Sequence, residues 1–193
     1  MSTESNALTF SAVFLAKYPP GDARIAQLAA QAKKFHSLGL VHDLGGNLSF
    51  RTRLGFIISG TGVSLDALTQ GTVAEVTGVV YGLNKTSVYI KGAVVPSRET
   101  ILHSQIYEEL PEINAIFHLH DKRLMSQAEK LGVPVTANER PAGSSELAQE
   151  AINLLKTNKS LRFFVLKGRG VIFMGTSLDE AGRLAEQEGG KQR

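Results

Sequence analysis

The stretch from Val73 to Gly92, "VAEVTGVVYGLNKTSVYIKG", constrains the fold more than any other part of the chain. Two runs rich in β-branched and aromatic residues are separated by "LNK", which predicts short strands joined by a hairpin-like turn. "RFFVLKGRGVIFMG" repeats the device, with Gly-Arg-Gly as the turn. Strands connected this tightly pair antiparallel, because a parallel partner needs a long crossover. "LGGNLSFRT" and "GFIISGTG" add two further strands that begin or break at glycines.

Helical periodicity separates these runs. Asp22–Leu38 places Ile25, Leu28, Ala29, Ala32 and Phe35 near helical spacing, and Gly39 ends it. "SRETILHSQIYEEL" reads as a helix opened by Ser97 and stopped by Pro111. Further helices are predicted from about Lys122 to Leu131, over "SSELAQEAINLLKT" with Ser144 or Ser145 at its start, and over "SLDEAGRLAEQE" capped by Ser177. "SLDAL" reads as a short turn capped by Ser64. The fold class is α/β: a single layered domain over 1–193, its central, mainly antiparallel sheet flanked by helices, with a core at about 22–188 and residues 1–21 as an N-terminal extension.

Composition narrows the function. With no cysteine, any metal must be held by nitrogen and oxygen ligands, and disulfide or thiolate chemistry is excluded. That also fits a reducing compartment, and the expected location is cytoplasmic. No apolar run approaches the roughly 18 residues of a membrane span, and no basic leader precedes the first apolar patch. The net charge of +3 is dispersed, so neither nucleic acid nor membrane is the expected partner. A small anionic substrate suits it better.

Candidate chemistry concentrates in a few places. In "NAIFHLHD" a strand would put Ile116, His118 and His120 on one face and Ala115, Phe117 and Leu119 on the other. Paired imidazoles can ligate a divalent metal, or they can be histidines at a strand end bonded to backbone or water. "LGGNLS", "SGTG" and "VPSRE" offer backbone N–H groups and hydroxyl or amide donors, the parts of an anion nest, although such turns can also merely turn. Glu99 falls at the start of a helix, where it is a general base, a metal ligand or an ordinary first-turn acid. His103, four residues on, is assigned to bonding and orienting Glu99, while His36 and His42 read as structural or surface residues.

Taken together, four segments resemble the class II aldolase/adducin family. "GGNLSFR" resembles its G-N-(V/L/I)-S-x-R segment, and "IISGTGVSLDAL" resembles I-T-P-(S/T)-G followed by a leucine. "VPSRETILHSQIYEELPEINAIFHLH" is similar to P-S-S-E…H…IY…P…A-V-x-H-x-H, and "FFVLKGRGVIFMGTSLDEA" resembles V-L-L-x-N-H-G…G-x-(S/T)-L-x-E-A. The likeness runs from about Ala23 to Glu186.

The resemblance implies a sheet-and-helix fold assembled as a homotetramer with sites at subunit contacts. It also implies a divalent metal, usually Zn2+, on three histidines, and lyase chemistry on a small phosphorylated ketose. Carried over, His118 and His120 match metal ligands, and Glu99 matches the acid/base glutamate that also touches the metal. Gly46, Asn47, Thr61, Gly62 and Ser97 match the substrate-phosphate loops, with Arg98 as an added anion donor. Glu139, in "TANE", matches the acid/base glutamate of the dehydratase branch.

The departures define the alternatives. Arg169 stands where the third ligand histidine is expected, Leu44 where aldolases have a threonine, and Arg98 where the second serine is expected. Arginine is always protonated and cannot ligate, and its charge would oppose a nearby cation. Three readings follow: a metal-dependent lyase on His118, His120 and Glu99, catalysing aldol cleavage or dehydration; a non-catalytic, adducin-like binding or assembly domain that has lost a complete zinc site; or an enzyme in which Arg169 replaces the metal's charge at an oxyanion.

Overall fold

The computed structural model describes residues 9–41, 45–83 and 85–189. His42 and Leu44, both singled out in the sequence, lie outside them. The chain runs β1 (Phe10–Ala16), α1 (Arg24–Ser37), β2 (Asn47–Arg51), β3 (Phe56–Ser59), β4 (Val73–Val80), β5 (Thr86–Gly92), α2 (Thr100–Glu109), β6 (Ala115–Leu119), α3 (Lys122–Gln127), α4 (Ser145–Thr157), β7 (Phe163–Leu166), β8 (Gly170–Gly175) and α5 (Leu178–Gly189). The strands form one sheet of 8 in the order β1-β5-β4-β3-β2-β6-β8-β7. Its named pairs are antiparallel except β1 with β5.

Period-two alternation divides the core into two layers. Phe117 and Leu119 pack on one face with Leu28, Phe35 and Ala181 from α1 and α5. On the other face Ile116 packs with Ile101, Ile106, Leu147 and Leu155 from α2 and α4. Every residue of β6 is buried, and its neighbours are β2 and β8. His118 therefore sits on the α2 side near the end of a fully buried strand. Among the described residues no helix is long and apolar enough to cross a membrane.

Local signals set several boundaries as expected. The Ser144 hydroxyl accepts the Leu147 N–H at 3.1 Å and caps α4. Ser144→Ala should lower the free energy of unfolding by about 1 kcal/mol, read from a urea midpoint shift without a change in slope.

Two boundaries differ. Phe10–Ala16, assigned above to an extension outside the core, forms the edge strand β1, with Phe10 1% exposed in the α2/α4 core. "FSAVFLA" has no polar alternation, so periodicity did not reveal it. Helix α2 begins at Thr100, not Ser97. The Ser97 N–H bonds to the Ser59 carbonyl at 2.9 Å, and Pro96 bridges Gly60, so this segment is tied to the end of β3. Glu99 is thereby left at the N-cap.

Candidate functional site

Register brings the site together. Asn47 of β2 lies opposite His118 of β6, and Ser49 lies opposite Ile116. Beside them the β3 end supplies Gly60, Thr61 and Gly62, and the entry to α2 supplies Ser97, Arg98 and Glu99. One cleft is lined by Gly46, Asn47, Thr61, Gly62, Ser97, Arg98, Glu99, His118 and His120, together with Val63 and Ala142. Gly46 is required there: at φ 88° a Cβ would lie 2.5 Å from the His118 carbonyl oxygen.

At the floor is a buried pair. Glu99 Oε2 accepts from Asn47 Nδ2 at 2.6 Å and is in hydrogen-bond contact with His118 Nδ1. His118 Nε2 faces the Arg169 carbonyl at 3.3 Å. Burial by itself would raise the Glu99 carboxyl, but the His118 charge and hydrogen bond, helped by Asn47 and His103, hold it down at about 2. Burial would lower His118; the Glu99 charge outweighs it, and the imidazole is held above its ordinary range. The His120 ring lies 5.0 Å from that of His118, tilted by 56°.

A second polar layer lies beneath. His103 Nδ1 contacts the Ser49 hydroxyl at 2.7 Å, and Ser49 contacts the Tyr107 hydroxyl at 2.8 Å. His103 was expected to bond Glu99; its hydrogen bond goes to Ser49 instead, because the α2 turn points its ring across β2. Burial pushes His103 down to about 3, against the opposing pull of Glu99, so it is neutral at pH 7. Ser49 and Tyr107 were not singled out by sequence. Ser49 shares the Asn47 face of β2, and Tyr107 lies one turn beyond His103, so the periodicities contained both signals.

The rim has the parts of an anion site. Ser97 accepts the Glu99 N–H on its hydroxyl at 3.3 Å, and the Thr61 hydroxyl donates to the Pro96 carbonyl at 2.9 Å. Ala142 enters from the loop that also carries Glu139. Gly143, at φ 73°, lies so close to Arg98 that a Cβ would be 2.5 Å from its carbonyl oxygen.

Glu139 and Arg169 are placed differently. Neither is among the residues lining the cleft. Arg169 Nε donates to the Arg140 carbonyl at 2.6 Å, and its NH2 lies 3.6 Å from Glu139 Oε1. Arg169 thus meets His118 through its carbonyl, while its guanidinium is engaged with the loop at 139–140. In that geometry the guanidinium is directed at the loop rather than at the histidine rings.

The donor set does not fit the metal that the resemblance implies. Among the described residues no group of three or more His, Cys, Asp or Glu side chains is arranged to hold a metal ion. The physical reason is at His118, whose ring nitrogens are both directed at oxygen acceptors. With Glu99 at Nδ1 and the Arg169 carbonyl at Nε2, each nitrogen already has an oxygen partner that an ion would have to displace.

Comparison with known proteins agrees with the fold. Residues 26–187 match the Class II Aldolase and Adducin N-terminal domain. The chain is 29% identical over 153 residues to an L-fuculose phosphate aldolase of Methanococcus maripaludis, covering 71% of this chain and 76% of the relative. It is 28% identical over 180 residues to a 3-oxo-tetronate 4-phosphate decarboxylase of Haemophilus influenzae, covering 80% and 78%. The crystal structure of L-fuculose-1-phosphate aldolase from Thermus thermophilus superposes with a TM-score of 0.68 at 22% identity, covering 87% of this chain and 91% of that one. With its sheet order, its helical layers and a family match spanning most of its length, the chain belongs to the class II aldolase/adducin family.

Proposed function

We propose that the cleft binds a small phosphorylated sugar and that the chain acts on it as a lyase, by aldol cleavage or dehydration. The observation that carries this reading is the convergence of Gly46, Asn47, Thr61, Gly62, Ser97 and Arg98 around the Glu99–His118 pair in one cleft. The two relatives with different reactions share a phosphorylated small carbohydrate in their names, which supports the ligand class. In this reading Ser97, Thr61, Arg98 and the glycine backbone hold the phosphate. Asn47 orients the carboxylate, and Glu99 takes the substrate proton.

A carboxyl held at about 2 is a weak base, and Glu99 gains the basicity the step needs when His118 gives up its proton with its ring still in place. In this reading His120, which lines the cleft, contacts the substrate. The zinc-dependent form of the chemistry is not carried into this proposal, because the donor set does not fit the ion. Glu139 is placed outside the cleft wall, and a dehydratase role for it would need its loop to move inward. The resemblance adds a homotetramer to the proposal.

The reading is tested with the full chain and a panel of ketose phosphates that includes L-fuculose 1-phosphate. We expect binding by calorimetry that Ser97→Ala weakens about tenfold, the loss of one charge-assisted hydrogen bond. Turnover should be released as aldehyde or dehydrated product and lost in Glu99→Gln. Binding without turnover by the wild type would favour the second reading, an adducin-like binding domain. Position 169 is the observation that favours it, since the expected ligand histidine is absent. No binding of any phosphorylated sugar by the folded chain would reject the lyase reading and favour an assembly role.

A further inference from the structure

The turn between β7 and β8 lies where the resemblance expects the last metal ligand, and it is built for a different task. Its first contribution is backbone. The Arg169 carbonyl faces His118 Nε2 at 3.3 Å, while the Glu99 carboxylate takes Nδ1. Asn47 Nδ2 also approaches Nδ1, at 3.3 Å, and donates to Glu99 at 2.6 Å, so the three side chains meet at one carboxylate oxygen. Gly170 runs close beside the ring: a Cβ at that position would lie 2.2 Å from His118 Nε2, so a side chain there would collide with the imidazole.

The second contribution is side chain. Arg169 Nε holds the Arg140 carbonyl at 2.6 Å and pairs with Glu139. Lys167 Nζ donates to the Ala137 carbonyl at 3.2 Å. From the opposite side Glu150 of α4 accepts from Asn138 Nδ2 at 2.7 Å, from Arg140 NH2 at 3.1 Å and from the Ala137 N–H at 3.2 Å. The segment gripped between them leads directly to Ala142, in the cleft wall, and to Gly143, which rests on the Arg98 backbone.

We propose that this chain has exchanged its family's metal centre for the hydrogen-bonded His118–Glu99 pair, and that Arg169 has become the fastener holding the 137–143 loop against the cleft. A histidine fixed at both nitrogens is a rigid donor that orients Glu99 without an ion. An arginine committed to a neighbouring loop fixes the wall that the phosphate loops face. Arg169 is a positioning residue here, acting through Arg140 and the loop. The inference deepens the reading of the cleft as a phosphorylated-sugar site and rests on it for the ligand.

The test uses the full chain, stripped with chelator and dialysed, and titrated with Zn2+ and then Mn2+ by calorimetry. We expect no stoichiometric uptake, and the same trace from His118→Ala and His120→Ala. One equivalent of metal per wild-type chain, lost in either histidine variant, would overturn the exchange. Inorganic phosphate is then titrated with and without chelator. Equal affinity supports the inference, and affinity that appears only after zinc is restored overturns it. If phosphate and sugar phosphates bind in neither condition, the ligand reading fails while the metal titration still decides this one.

For the fastener, Arg169→Ala and the milder Arg169→Lys are compared by hydrogen exchange. Arg169→Ala should speed amide exchange in 137–143 about tenfold while 115–119 keeps its protection, with Arg169→Lys in between. Unchanged exchange in the loop would remove Arg169 from that role.

Discussion

Glu99→Gln should lower the free energy of unfolding by about 3 kcal/mol near pH 5.5, because it breaks a buried pair and leaves His118 facing a neutral amide. Glu99 is 5% exposed and His118 2%, so water can relieve neither. The figure lies at the lower end for such a loss because His118 can release its proton when its partner is gone. The pH dependence gives the test its shape. The Glu99 value is depressed from its ordinary 4.5 to about 2, so its share of the pair's stability is present above pH 4.5 and is lost as pH falls toward 2.

His118 is raised above its ordinary 6.5, so its share is complete below pH 6.5 and is lost as pH climbs through the raised value. The difference between wild type and Glu99→Gln should therefore be greatest between about pH 4.5 and 6.5 and shrink on both sides. His103, depressed to about 3, is neutral in both folded proteins between pH 4.5 and 6.5 and cancels in the difference there; toward pH 3 it does not, because Glu99 holds its value up in the wild type alone. Urea unfolding across pH 3–9 measures it, and a difference independent of pH would show that the two side chains do not share a proton-linked contact.

Gly170→Ala should cost roughly 3–4 kcal/mol, through backbone strain and a collision that cannot be relieved locally. At φ 151° the residue occupies a region that L side chains rarely adopt, and the added methyl would lie 2.8 Å from the Leu119 carbonyl oxygen as well as on the His118 ring. The carbonyl belongs to the β6–β8 ladder and is fixed, so the imidazole must move. The expected result is a lower Tm together with weaker ligand binding, since moving His118 releases Glu99. Gly132→Ala, away from the cleft lining, is the control: it also has a positive φ, 66°, but nothing lies within 4 Å of its Cβ position. It should show the conformational cost alone, about 1 kcal/mol. Equal losses in both variants would mean that the contact of β8 with His118 carries no weight.

These variants probe features that differ in how far the sequence disclosed them. The alternation of "NAIFHLH" assigned Ile116 and His118 to one face, and the structure has that separation, with Ile116 and Phe117 in different core layers. The hairpin of β7 and β8 was legible in Gly-Arg-Gly, and the start of α4 in Ser144. Strand β1 was not legible, because an uninterrupted apolar run has no period to read. The start of α2 was misplaced because the bond that holds Ser97 out of the helix comes from Ser59 in another strand. Glu99, His118, His120 and the phosphate-loop residues were nominated by resemblance, and the fold brings them to one cleft. Glu139 and Arg169 were nominated in the same way and lie together beside it.

What the sequence determined by itself was orientation within each element. Which side chains share a face, where a helix is capped and where a turn must tighten follow from bond geometry over a few residues. What only the tertiary structure decided was partnership. The contact of Asn47 with Glu99 spans 52 positions, that of Asn47 with His118 spans 71, and that of Arg169 with the Arg140 carbonyl spans 29. Arginine at position 169 could have faced the histidines or turned from them. Its direction was set by a carbonyl and a carboxylate on a loop brought alongside by strand pairing, because a half-buried guanidinium goes where acceptors satisfy it.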